Sequence, residues 1–259
     1  MRSIITALIL VILISCHQDK KVVEEKQASQ LMLPHLSNNP YNTIEEIPLP
    51  AGYKRIYYTS GSFAGWLRHT PLKKDKRVYL YNGNLKSNQS AQFAVINMSV
   101  GDKNLQQCAD AIMRLRAEYF YFYQKYNQIT FRDNDGEIYH YSAPYNRNTF
   151  YKYLENVFSI CGTASLEKQL SAYVLLRDIM PGDVLIHGGF PGHAEIVVDV
   201  AMNKEGNKVF LLAQSYMPAQ DIHILKNPQN ELSPWYPVTD QPEIRTPEYT
   251  FSRNALKRW

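Results

Sequence analysis

Cys108, His193 and Gln214 are the residues whose types could supply a nucleophile, a base and an orienting group. A thiol becomes nucleophilic when it ionises, and an imidazole beside it can take and return the proton. A third polar side chain that holds one ring nitrogen leaves the other free for that exchange. Cys108 falls in the first turns of a helix, where unpaired backbone N–H groups favour a thiolate. Cys161 falls at a helix C-terminus, where the field works the other way. Cys108 is therefore the better nucleophile of the two, although its place on an apolar stripe also suits a core thiol.

For these residues to meet, the intervening elements must bring them together. His193 stands in "MPGDVLIHGGFPGHAEIVVDV", Met180 to Val200. The turn Pro181-Gly182-Asp183 opens one short apolar run, and the turn from Gly188 to Gly192 delivers His193 to the next. Gly192 must turn the chain there through a positive φ or a close backbone approach. On a strand, His193, Glu195, Val197 and Asp199 face one way, while Ala194, Ile196, Val198 and Val200 face the other. The second set is wholly apolar and predicts the core face, which puts His193 on the accessible side. The next strand, "VFLLAQS", is expected to pair antiparallel across the Asn203–Asn207 turn and bring Gln214 to His193.

Upstream, residues 53–58, 77–82 and 92–97 have strand composition. "NLQQCADAIMRLRAEYFYFYQKY" predicts a helix capped by Asn104 with Gln107 at the reciprocal position. Its stripe of Cys108, Ile112, Leu115, Tyr119, Phe122 and Tyr126 is expected to be buried, with Arg114, Arg116 and Glu118 off it. "ITFRDNDGEIYHYS" reads as a hairpin, and its Asp133–Gly136 turn lacks the glutamate that a calcium loop needs. A second helix in "NTFYKYLENVFSICG" is expected to be capped by Asn148 or Thr149 and ended by Gly162. A short helical turn at 165–170 follows. Then come extended segments at 183–187, 194–200, 208–214 and 222–225, and a proline-rich tail from Lys226 expected as irregular coil. Helices followed by a run of strands predict an α+β domain with an antiparallel sheet or half-barrel and an N-terminal β segment.

The N-terminus adds a location. Met1-Arg2-Ser3 is a short basic start, and the apolar run from Ile4 to Ile14 suits a signal-peptide core and is too short to span a bilayer. "LISC" at 13–16 resembles the lipobox of bacterial lipoproteins, with Cys16 as the acylated residue. Residues 1–15 are thus read as signal peptide, 16–46 as a polar tether and 47–259 as one domain. The net charge of +4, less the one charge of Arg2, leaves +3. That bias is too mild to argue for nucleic acid. With Cys16 acylated, Cys108 and Cys161 remain, and two cysteines in an exported chain are also a natural disulfide pair.

Other chemistry-bearing residues fit less well. Trp66, in "GSFAGWLRHTPL", either packs beneath a loop or offers a platform to a substrate, and Tyr216 is the second candidate contact. Ser165 lacks the strained elbow of a serine hydrolase. His187, His193 and Asp199 do not converge as metal ligands on a strand–turn–strand, so no metal and no cofactor is expected.

The helix-initiating Cys108, the turn–Gly-Asp–strand before His193 and the strand carrying Gln214 together resemble the papain-like cell-wall cysteine endopeptidases of the NlpC type, over about 106–215. The resemblance implies Cys108 as nucleophile, His193 as base and Gln214 as the residue that orients it. Gln107 and Ala109-Asp110 depart from the family's usual aspartate before the nucleophile and Ser-Gly after it, and the 85-residue Cys–His interval is longer than usual. "QQCADAIMRLRAEY", "PGDVLIHGGFPGHAEIVVDVA", "FLLAQSYMPAQDIHILKNP" and "SPWY" resemble, more specifically and over nearly the full length, a bacterial lipoprotein family known as domain of unknown function 4846. The implied activity is a membrane-anchored cysteine hydrolase of amide bonds, acting on peptidoglycan stem peptides. The alternative is a non-catalytic lipoprotein that binds a peptide or glycan in the same cleft, with Cys108 and Cys161 structural.

Overall fold

A computed structural model describes residues 38–170, 172–229 and 233–259. The expected signal segment, Cys16 and most of the tether lie outside the described residues. The compact unit begins at Asn39. Residues 39–46, read from sequence as the end of the tether, therefore belong to the domain. The reason is burial: Asn39 and Ile44 are both fully enclosed, and a 3₁₀ turn spans Ile44–Glu46.

The architecture is α+β. Thirteen short strands are described: β1 (Lys54–Arg55), β2 (Gln92–Val95), β3 (Thr130–Arg132), β4 (Ile138–His140), β5 (Ala172–Tyr173), β6 (Val184–His187), β7 (His193–Met202), β8 (Lys208–Gln214), β9 (His223–Leu225), β10 (Tyr236–Pro237), β11 (Glu243–Arg245), β12 (Thr250–Ser252) and β13 (Leu256–Arg258). The helices are α1 (Phe63–Arg68), α2 (Cys108–Phe122), α3 (Arg147–Ile160) and α4 (Thr163–Gln169). The main sheet runs β2-β9-β8-β7-β6-β13-β5, with β1 also on β7 and β10 also on β8. Its pairings are antiparallel, as short turns between successive strands require.

Strand β7 is the centre of this sheet, and both its faces are buried. Ala194, Ile196 and Val198 pack into the cluster that includes α2, whereas Val197 and Val200 pack into a second cluster with Ile244 and Phe251. The accessible face expected for His193 is thus corrected. The tail forms β10 to β13 rather than plain coil, and it covers that face. The tail's strands are short, and β10 and β13 pair with distant chain, so they leave no periodicity in the sequence.

Several local expectations shift as well. Residues 77–82 form only isolated bridges, at Tyr79 and Leu80. "FAGWLR" is helix α1, because the Ser62 side chain accepts the Gly65 N–H at 3.0 Å. Helix α2 is capped three residues later than expected. Its N-cap is Gln107, whose N–H donates to Asp110 Oδ2 at 2.9 Å, while Asn104 instead accepts the Ala219 N–H. Arg114 and Glu118 are buried and paired at 3.0 Å, and Phe122, expected inside, is exposed. Helix α3 is capped by Asn146, and Gly162 caps the start of α4 rather than following α3 alone.

Candidate functional site

At Gly192 the turn before His193 requires a close approach and not left-handed backbone, while Gly189 in the same turn has φ +153°. A Cβ on Gly192 would meet Thr163 Oγ1 and the His187 carbonyl oxygen, the latter at 2.5 Å. Thr163, the first residue of α4, donates its hydroxyl to Gly189 O at 3.1 Å and so clamps the turn. The Pro-Gly-Asp turn upstream is structural in a different sense. Gly182 has φ +97°, and Asp183 receives two hydrogen bonds from Arg258, at 2.6 and 2.8 Å.

Strands β7 and β8 pair antiparallel with a bulge between Val197 and Asp199, which turns Val200 to the face opposite to the one expected, and Gln214 comes to His193: its Oε1 lies 2.8 Å from His193 Nε2. The amide's other end fixes the polarity. Gln214 Nε2 donates to Glu248 Oε2 at 2.7 Å and faces His223 Nε2 at 3.3 Å. His223 Nδ1 in turn lies 2.9 Å from the Asp221 carbonyl oxygen. One assignment satisfies all of these contacts. His223 carries its proton on Nδ1, Gln214 presents its carbonyl to His193, and His193 donates from Nε2. Nδ1 of His193 takes no part in these contacts.

Cys108 is among the groups that act on the His193 imidazole. Burial works to lower the His193 pKa, but the contacts with Cys108 and with the Glu195 carboxylate outweigh it and raise it to about 10. Glu195 Oε1 stands 3.5 Å from His193 Nε2 and accepts the Thr246 hydroxyl at 2.8 Å, while Oε2 is buried without a partner. Its pKa is raised by that burial. His223 is pushed down to about 4, first by burial and then by the nearby Lys86 charge. Around the imidazole stand Tyr216 and Tyr249, each with ring centroids 4.9 Å away, and Phe251, stacked at 5.8 Å.

The cysteine end is tied to the same strands. Ser215 Oγ lies 2.9 Å from the Gln106 carbonyl oxygen, two residues before Cys108, which holds the start of α2 against the end of β8. Cys108 opens onto a cleft of about 220 Å³ lined also by Asp110, Cys161, Thr163, Phe190 and Met217. Both cysteines are free thiols. Burial raises the Cys161 pKa to about 11. Asp110 keeps one buried carboxylate oxygen unpartnered, and burial raises its pKa well above the usual range.

Of the residues singled out from sequence, Cys108, His193, Gln214 and Tyr216 come together. Trp66 does not. It stacks on Phe63 and lines a separate cavity with His69 and Phe122, so it is no part of this cleft. Sequence reasoning passed over Glu195, His223 and Glu248. Glu195 carried a signal, two residues from His193 on one strand face, that was misread as solvent exposure. Glu248 and Lys86 carried none, since their ion pair joins segments 162 residues apart.

Fold and site together define an antiparallel α+β domain with a thiol–imidazole–amide cluster at the head of a helix. Within that class, the chain belongs to the family described as domain of unknown function (4846), which it matches over residues 44–146 and 138–258. No curated protein and no solved structure matches it significantly.

Proposed function

We propose that this protein is a cysteine hydrolase of amide bonds, anchored by a lipid on Cys16 in the bacterial envelope and acting on peptidoglycan stem peptides. The observation that carries the reading is the 2.8 Å contact of Gln214 with His193 Nε2, which commits that nitrogen and supports a reading in which Nδ1 serves Cys108. That arrangement, on a helix start facing strands, resembles the core of the papain-like NlpC-type enzymes.

The chemistry follows from the cluster. Cys108 Sγ attacks the scissile carbonyl carbon as thiolate, and N–H groups at the start of α2 face the developing oxyanion. The C–N bond breaks as His193 gives its Nδ1 proton to the leaving amine, and a thioester remains on Cys108. Neutral His193 then takes a proton from water, whose oxygen attacks the thioester and releases the acid and the thiol. The raised pKa of His193 suits the first half, because the imidazolium is ready at neutral pH to protonate the amine.

The alternative is a binding lipoprotein with structural cysteines, and free thiols at both positions weigh against a structural bond. Incubating the purified chain with peptidoglycan stem peptides and following new amines by mass spectrometry tests the proposal. Cleavage that disappears in Cys108→Ala is the expected result. Binding of the same peptides without any cleavage by the wild type would transfer the assignment to the alternative. No helix among the described residues is long and apolar enough to cross a membrane. The proposed anchor is Cys16, and Cys16→Ala should abolish fatty-acid labelling.

A further inference from the structure

A larger cavity, of about 520 Å³, lies where β3, α2 and α4 meet. Its lining is one-sided in charge: Arg116, Arg132 and Lys168, with the amides of Gln128 and Gln169, and no acidic residue. Salt bridges elsewhere on the same helix, such as Arg114 with Glu118, show that α2 supplies carboxylates where cations need them. Among the described residues, none forms an ion pair with these three cations.

The cations are held in place by neutral partners instead. Arg132 Nη1 donates to Gly136 O at 3.2 Å, and Lys168 Nζ donates to Asn134 O at 3.0 Å, both in the β3–β4 turn. Gln169 Nε2 donates to Arg132 O at 2.8 Å and ties the end of α4 to β3. Arg116 lies over the Trp259 ring at 4.0 Å and over Phe120 at 4.9 Å, which fixes the guanidinium plane without neutralising it. Burial without a counter-charge lowers the Arg116 pKa to about 10.

We infer that this cavity is a binding site for a phosphate-type oxyanion, a phosphomonoester or diphosphate group carrying at least two negative charges. A planar arginine fork, a second arginine, a lysine point charge and two amides form a donor set in which no lining side chain is acidic. A single carboxylate brings one charge and two oxygens, too little for three cations. A phosphate group brings three acceptor oxygens and close to two charges at neutral pH. The site is separate from the Cys108 cleft, so it stands whether or not the thiol is catalytic.

The test is calorimetric titration of the purified full-length chain with pyrophosphate, and in parallel with inorganic phosphate and with succinate. Pyrophosphate should bind saturably, inorganic phosphate more weakly, and succinate at least about tenfold more weakly than pyrophosphate. Arg116→Gln and Lys168→Gln should each weaken pyrophosphate by about tenfold or more, while Lys204→Gln, in the exposed β7–β8 turn, should leave it unchanged. Lys168 is exposed, so its variant reports on the site even if Arg116→Gln fails to fold. Absence of pyrophosphate binding, equal binding of succinate, or equal loss in Lys204→Gln would each overturn the inference.

Discussion

Strand β7 carries buried charge at both ends, and the two ends are finished differently. At the C-terminal end, Asp199 receives Arg55 Nε at 2.7 Å, Arg68 Nε and Nη2 at 2.9 and 2.6 Å, and the Val200 N–H at 2.9 Å. Both of its oxygens are satisfied, and the arginines also bind carbonyls of Ile44, Ile47 and Ile56. At the N-terminal end, His193 and Glu195 are as deeply buried, yet Glu195 Oε2 has no partner and the imidazole adjoins a thiol. The Asp199 end fastens β7 to the segment before α1 and to the end of α1 itself. The His193 end is incompletely paired and sits beside a cleft, which is what the proposed hydrolase would require of a site that accepts a substrate.

If that contrast holds, Asp199→Ala should have the largest effect on stability. It strands two guanidinium groups, and breaking a buried pair by removing one partner costs about 3–5 kcal/mol. Chemical denaturation should show a protein near or past its unfolding limit at room temperature. A variant as stable as wild type would mean that Asp199 is no more structural than Glu195.

The two histidines joined through Gln214 should respond to pH in opposite directions. The folded-state pKa of His223 is about 4, below its unfolded value. Its contribution is therefore complete above about pH 6.5 and is lost as pH falls towards 4, by about 3 kcal/mol in all. The folded-state pKa of His193 is about 10, above its unfolded value. Its contribution is complete below about pH 6.5 and is lost as pH rises towards 10. Denaturant midpoints at pH 4.5, 7 and 9.5 check both. His223→Gln should flatten the acid side alone, and His193→Gln the alkaline side alone.

A smaller loss is expected at Gly192. Gly192→Val forces a side chain into Thr163 and the His187 carbonyl, an overpacking that costs about 1–3 kcal/mol. Thermal unfolding reads that loss, and the rate of Cys108 alkylation should fall with it because the turn no longer holds His193. A stable variant with unchanged alkylation would separate the turn from the site.

The strands that bring His193 to Gln214 were legible from period-two alternation and a short glycine turn, but the bulge between Val197 and Asp199 that turns Val200 over was not. Cys108 was legible from its place at a helix start. What escaped was everything set by distant chain. The tail that buries the outer face of β7 has no strong periodicity, and Glu248 reaches Gln214 across 34 residues. Residues 77–82 had strand composition, yet they form isolated bridges, because composition measures fitness for a pleated surface and not the presence of a neighbour. Cap placement also failed at Asn104, whose side chain binds the distant Ala219 N–H.

The central claim is that Cys108, His193 and Gln214 act as one unit, and site-resolved iodoacetamide labelling at pH 7 tests it most directly. An ordinary thiol is only a few per cent ionised at that pH. Cys108 should label fast, His193→Ala should slow it by about tenfold or more, and Gln214→Ala should slow it less, since the amide only orients the ring. Cys161 should be slow in all three proteins. A Cys108 that labels at the same rate with and without His193, or that is found bonded to Cys161, would contradict the account.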